Sequence, residues 1–403
     1  MRGKGEGSLY KNSQGLWTTS IELPPGLDGK RRRKVIRRKV KSEAMKEMQA
    51  TIAQLRKSGD LSTSSTTVEK WLTYWLDNIV EPNERPKTTA GYRSVVTNHI
   101  IPAIGNAKLE RVTADHVRKV HARVLGTPKS QAVRKLPASE WPADTVMLSS
   151  TYALNAHNVL SAAFKAALAE GKMHSNPCTV AAAPRKTLTE QKALTLDQAV
   201  QLLRYLATHE RGAQWATYLL TGARRGEIIG LEADRVGDVL DLSWQLQRIT
   251  DISKAPKDFE HRPLGGTLYL TRPKSRAGWR IVPLVEPLKT ILTRHMEAGH
   301  GDGLLFTRDD GAPQDPDAVS EDWKTLLAAA GLPSDIVLHG SRHTTVDLLY
   351  EAGVPEAVIS EIVGHSTRAV TRGYKSKGNH KQLTEAMNLM SELLGRPQKE
   401  ISH

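Results

Sequence analysis

The stretch HGSRHTTVDLLYEAGVPEAVISEIVGHSTRAVTRGY, residues 339–374, holds His339, Arg342, His343, His365 and Tyr374 in a helix-forming context. Residues three apart share a helix face, so His339 and Arg342 can point into one site while His343 is turned about 100° away. Tyr374 follows His365 by nine residues. On an unbroken helix that spacing separates them by about 13 Å, on opposite faces. If both serve one site, the helix must break between them, and Gly373 is the place for that break.

Two upstream pieces add to this set. In TGARRGE (221–227), Arg224 shares a helix face with Glu227 and Arg225 does not, which selects Arg224 and makes Glu227 an orienting carboxylate. GTLYLTRPKSRAGWRIVPL (266–284) reads as two β-rich runs around a basic turn at 274–278, a hairpin carrying Lys274, with Arg276 as a further phosphate contact. Lys254 and Lys257 lie upstream in the polar segment DISKAPKDFEHRPLGG (251–266), and the hairpin context favours Lys274 over them. Two guanidiniums converging from separate segments suit a phosphodiester transition state, because each is a planar, permanently charged fork for non-bridging oxygens.

Composition sets the frame for this chemistry. At 403 residues and 39% hydrophobic content, the chain has room for two to four domains with packed cores. Fifty-seven Lys and Arg against 43 Asp and Glu give +14, which favours a polyanionic partner. A membrane is excluded as that partner, since no apolar run approaches the ~18 residues of a spanning helix and the N-terminus lacks a signal-peptide core. The single Cys178 rules out intrachain disulfides and Cys-based zinc sites and suits a reducing cytoplasm. With 5% aromatic residues, a single-strand binder built on base stacking is disfavoured. No metal or cofactor is implied: HExxH, acidic clusters at metal spacing and glycine-rich phosphate loops are all missing from the sequence.

The charge is uneven. Residues 1–41 carry 12 Lys and Arg against three acids, a net +9. This segment reads as three short strands, followed by a helix over about 42–56 with Ala44, Met48, Ile52 and Leu55 at helical spacing. Such a basic sheet can lay one face in the major groove, with 30–33 and 37–39 on phosphates and base edges. SGDLSTSSTT (58–67) is a flexible linker. Four helices follow, interrupted by a long basic loop at 126–143 whose Lys129, Arg134 and Lys135 would suit DNA contact. After the extended connection 176–192, a larger mixed domain runs to about 396.

Taken in order, TGARRGE, Lys274, HGSRH, GHS (364–366) and Tyr374 resemble the tyrosine recombinases, the phage-type integrases. The family pattern of Arg, Lys, His-x-x-Arg, His or Trp, and Tyr falls on Arg224, Lys274, His339, Arg342, His365 and Tyr374. The resemblance covers the whole chain and implies a multidomain, mainly α protein with small sheets. Its parts would be an N-terminal three-stranded sheet plus helix that binds arm-type DNA (1–58), an all-α core-binding domain (67–182) and a mixed, mainly α catalytic domain (193–396). It implies that Tyr374 attacks DNA to give a 3′-phosphotyrosyl link, that His339 or His365 accepts its proton, that Lys274 protonates the leaving 5′-oxygen and that His365 hydrogen-bonds the phosphate. A phenol of pKa near 10 needs such help at neutral pH. The implied partners are double-stranded DNA at core and arm sites, a homotetramer on DNA, a host DNA-bending factor and a directionality factor, in a bacterial cytoplasm. A dimer-resolving recombinase and a non-catalytic DNA-binding regulator are the alternatives. The C-terminal run LTEAMNLMSELLG (383–395) is amphipathic and would pack on a neighbouring protomer or on its own domain. Here Gly340 and Ser341 stand between the motif His and Arg, which leads one to expect a locally looser helix start.

Overall fold

A computed structural model describes residues 9–24, 31–58, 66–187, 192–273, 279–364 and 378–395. The chain divides into two units, Met1–Thr187 and Leu188–His403, both mainly helical with small antiparallel sheets.

In the first unit, β1 (Tyr10–Lys11), β2 (Trp17–Leu23) and β3 (Arg32–Arg38) form an antiparallel sheet in sequence order, followed by α1 (Lys41–Ser58). The Asn12 carboxamide accepts the N–H groups of Gln14 and Leu16, which closes the first turn. Strand alternation buries Thr19, Ile21, Leu23 and Ile36 together with Ala44 of the helix, and the Thr19 hydroxyl reaches Met48 Sδ. Arg33, Val35 and Arg37 alternate to the other face and are exposed, so the helix-free face of the sheet is basic.

Beyond the linker, four long helical runs pack around one core among the described residues. They are α2 (Val68–Trp75) with its continuation to Val80, α3 (Pro86–Val95) continuing through α4 (Ile101–Ile104), α5 (Ala114–Leu125) and α7 (Ser150–Ala169). Trp71, fully buried, donates its indole N–H to Ala163 O and so locks α2 to α7. The 126–143 segment is not an open loop. Thr127 and Leu148, then Lys129 and Val146, pair across its neck, and α6 (Gln131–Arg134) forms inside it, capped by Ser130. Arg134, expected to be available to DNA, instead donates to the carbonyls of Pro128 and Lys129, while Lys129 and Lys135 stay exposed.

Three buried histidines give this unit a pH dependence. His121 and His157 share a hydrogen bond of 3.1 Å across α5 and α7, and His99 packs edge-on against Tyr152. Burial lowers all three below their ordinary pKa of 6.5, with Arg134 and Arg123 adding to the effect at His99 and His157 at His121. Because the folded state disfavours the protonated forms, stability is full above pH 6.5 and falls as the pH drops through that value, by at most about 1.4 kcal/mol per pH unit per histidine. Hydrogen exchange of α7 amides, corrected for intrinsic rates, should show weaker protection at pH 5.5 than at 7.5, and His121→Leu/His157→Leu should flatten that difference. A pH-independent opening free energy in the unsubstituted chain would contradict this.

The second unit contains α8 (Leu196–Leu206), α9 (Gly212–Thr221), α10 (Arg225–Ile229), α11 (Leu288–His295), α12 (Pro316–Ala329), α13 (Leu338–Glu351), α14 (Glu356–Val363) and α15 (Gly378–Gly395). Its core centres on Trp215, Tyr218 and Trp323, with the Trp323 indole donating to Ile336 O. Two small sheets flank the helices. One pairs β4 (Val239–Asp241) with β8 (Ile281–Pro283); the other has the order β5 (Gln245–Arg248), β7 (Leu268–Thr271), β6 (His261–Gly265).

This pairing corrects the expected hairpin. The runs on either side of residues 274–278 belong to different sheets, and the hairpin is β6–β7, turning at Gly265 and Gly266. The polar segment 251–266 supplies β6, because Gly-Gly with positive φ makes the tight reversal that alternation alone does not reveal.

The helix α15 packs within its own unit, burying Leu383, Ala386, Met387, Met390, Leu393 and Leu394 in the main core. At roughly 1.5–3 kcal/mol for each large apolar side chain, this burial is comparable with the whole stability of a domain, about 5–15 kcal/mol. A chain ending at residue 382 should therefore lose the cooperative unfolding of the second unit and its protease resistance. A truncated chain that melts like the intact one but fails only in assembly would instead place the helix's function between protomers.

Candidate active site

The site is assembled where α9, α10, α13 and the end of α14 meet. After α9, Gly222 takes a left-handed conformation, with φ of +57°. A Cβ there would lie 3.1 Å from Thr345 of α13, so glycine permits both the turn and the close crossing of α9 and α13. The turn presents Gly222 O to Arg342, whose guanidinium donates to it at 2.9 Å.

Arg224 is extended and stands at the N-cap of α10, outside the helix. Its pairing with Glu227 is thus a capping interaction and does not depend on a shared helix face. Its backbone N–H donates to Glu227 Oε2 at 2.8 Å and its Nη1 to Oε1 at 2.7 Å, while Nη2 donates to Gly364 O at 2.8 Å. Arg225 turns the other way, onto Ser320 and Asp317 of α12. Glu227 is buried; desolvation alone would raise its pKa, but Arg280 and Arg224 and the hydrogen bonds from Arg224 hold it below the usual carboxylate value.

At the start of α13, Gly340 is buried tightly: a Cβ would come within 2.7 Å of both Ile336 and Lys192 O. Ser341, also buried, donates to Leu338 O. The helix start is thus close-packed where looseness was expected, since the two small residues are what allow this approach. Arg342 follows at 2% exposure. Burial, then the nearby Arg280 and Arg224, push its pKa down to about 9, still protonated at neutral pH. His339 lies on the exposed side of the first turn, and its ring meets His343 edge-on at 5.2 Å. Partial loss of water, then His343, Arg342 and Arg224, lower its pKa, so the imidazole is neutral at pH 7 and able to accept a proton. His343 is half-buried, and its Nε2 finds no partner among the described residues.

The structure therefore brings together Arg224, Glu227, Arg342 and His339. Lys274, His365 and Tyr374 lie outside the described residues, as does Arg276. Their described neighbours are informative. The Gly364 carbonyl, one residue before His365, is held by Arg224.

Beyond the expected set, sequence reading missed Arg280, which is buried against Glu227 at 2.6 Å. A charged residue opening the apolar run RIVPL was the available signal. It also missed a cation–π stack: Arg262 and Arg272 lie 4.4 and 4.8 Å from Trp244, and Arg272 lies 4.5 Å from Trp279. The stack ties the end of β7 to the residue before Arg280. Around the single carboxylate of Glu227 stand three guanidiniums, those of Arg224, Arg280 and Arg342, leaving a net positive site suited to a phosphate. Among the described residues, no group of three His, Cys, Asp or Glu side chains is placed to hold a metal ion.

Comparisons with known proteins find matches in both units. The profile of the phage integrase family matches residues 192–380, and that of the phage integrase N-terminal SAM-like domain matches 67–124. An integrase of Saccharopolyspora erythraea is 27% identical, with 92% of each chain covered. A tyrosine recombinase XerC-like protein of Caldanaerobacter subterraneus is 24% identical over 96% of this chain and 98% of its own. Among solved structures, a Tn1549 transposon integrase in complex with transposon right end DNA superposes with a TM-score of 0.58 at 18% identity, covering 79% of this chain and 98% of that one. A lambda integrase tetramer bound to a Holliday junction gives 0.52 at 16% identity, covering 91% and 97%. With the ordered motifs, the arginine-rich site and these matches in both units, the chain belongs to the phage integrase family of tyrosine recombinases.

Proposed function

We propose that this protein is a site-specific DNA integrase that cuts and rejoins strands through a 3′-phosphotyrosyl intermediate, integrating and excising a phage or mobile element. The observation that carries the reading is the meeting of Arg224 and Arg342 beside the carboxylate of Glu227, at the backbone that leads into His365.

In this reading the scissile phosphate lies against Arg224 and Arg342, whose fixed forks bind the non-bridging oxygens as charge develops. Tyr374 attacks phosphorus, its phenolic proton passing to neutral His339, and the 5′-oxygen leaves as Lys274 protonates it. The His365 imidazole hydrogen-bonds the phosphate. Because the aryl phosphate retains the energy of the broken bond, a 5′-hydroxyl from another strand reverses the attack and reseals without ATP. Residues 1–58 grip arm sites through the basic, helix-free face of the sheet, residues 67–182 and 193–396 hold the core site, and four protomers form the synapse. A DNA-bending factor and a directionality factor complete the assembly, in a bacterial cytoplasm.

The test uses DNA flanking the gene, where an attachment site is expected. Purified protein mixed with that DNA and a partner site, without ATP, should give joined recombinants. Binding without any strand joining would instead favour a DNA-binding regulator, and joining restricted to resolution of plasmid dimers would favour a dimer-resolving recombinase.

A further inference from the structure

Each of the two anchors of Arg224 is itself seated on one buried side chain. The carboxylate of Glu227 receives Arg280 Nη2 at 2.6 Å on the same Oε2 that accepts the Arg224 backbone N–H. Gly364, whose carbonyl holds Arg224 Nη2, lies over the stem of Arg280: a Cβ at Gly364 would be 3.0 Å from Arg280 Cδ. Arg280 Nη1 also donates to Ile362 O, two residues earlier, at 2.5 Å. The backbone of Arg280 is fixed in turn, because its carbonyl accepts Leu242 N–H where β8 pairs with β4. At 4% exposure, with both terminal nitrogens engaged by protein, this guanidinium does not face DNA.

We propose that Arg280 is a positioning residue for strand cleavage, fixing the plane of Arg224 from both sides, through Glu227 and through the end of α14, whose Gly364 carbonyl holds Arg224 Nη2. The inference rests on the reading that Arg224 binds the scissile phosphate. A structural role alone accounts poorly for this residue. Burying a guanidinium beside two others is costly, and its Nε finds no partner among the described residues, whereas a well-packed apolar side chain would serve stability as well or better. What an apolar residue could not do is hold Glu227 Oε2 and the end of α14 at once. A lysine could not do so either, since it offers a rotatable point charge in place of a fixed fork.

The test is a double-substitution cycle on the full-length protein, read as the rate of covalent adduct formation with a nicked core-site duplex, with binding affinity and melting temperature measured in parallel. Arg280→Met should slow adduct formation on the order of 10²-fold, the usual consequence of a catalytic group displaced by about 1 Å, with affinity little changed. Arg224→Lys should also be slow, and Arg224→Lys/Arg280→Met should be no slower than Arg224→Lys alone, because Arg280 acts through the fork already removed. Losses that multiply would overturn the proposal, as would a folded Arg280→Met that cleaves at the original rate. If the Met variant fails to fold, Arg280→Lys carries the same cycle: it keeps the charge beside Glu227, and an unaltered cleavage rate in it overturns the proposal. Should Arg224→Lys itself cleave normally, both the phosphate-binding reading and this inference fall; a normal Arg280→Met beside a slow Arg224→Lys removes only the latter.

Discussion

Tyr374→Phe is expected to give a protein that binds its core site like the original and forms no denaturant-stable adduct with it, with recombination down by at least about 10⁴-fold. The substitution keeps the aromatic ring and removes only the hydroxyl that the proposed mechanism makes the bridging oxygen, so folding and affinity should be spared. The residues on both sides of the segment are secured within the second unit, Gly364 by Arg224 and α15 by its buried face from Leu383 onward. A loss of affinity as large as the loss of cleavage would mean that Tyr374 serves mainly in holding DNA.

The second large effect is expected at Arg342. Replacing it with alanine removes a guanidinium whose terminal nitrogen is set by Gly222 O and whose charge is concentrated by burial. Loss of a preorganised donor to a developing oxyanion costs about 10²–10³-fold, and loss of a whole fork in a buried site should exceed 10³-fold in cleavage. Binding energy comes mostly from many phosphate contacts over the DNA, so affinity should fall far less. Arg342→Lys should recover little, since a single ammonium cannot both hold Gly222 O and meet the phosphate. An Arg342→Ala protein that cleaves normally once saturated with DNA would show a binding role only.

How much of this was legible in the sequence depended on whether the signal was local. Strand alternation in 17–23 and 32–38 and the helical spacing of Ala44, Met48 and Ile52 gave the N-terminal sheet and helix, because one buried face suffices to specify each. The pairing of His339 with Arg342 on one helix likewise needs only three residues of spacing. What escaped was decided by tertiary contact. The strands around residues 274–278 look like a hairpin in sequence, yet β8 finds a partner in β4, more than 35 residues upstream. Gly340 and Ser341 read as a weak helix start until Ile336 and the Lys192 carbonyl are seen to leave room for nothing larger. Arg280 was passed over because one arginine before an apolar strand has no local pattern; its meaning lies in Glu227, Ile362 and Gly364, all distant in the chain.

The most direct measurement of the central claim is to trap the protein on a nicked core-site duplex, digest the DNA and the protein, and locate the nucleotide-bearing peptide by fragmentation mass spectrometry. The expected result is a single modified site, a nucleotide 3′-phosphate esterified to the phenol of Tyr374. Modification of any other residue, or cleaved DNA with no covalent peptide at all, would contradict the mechanism.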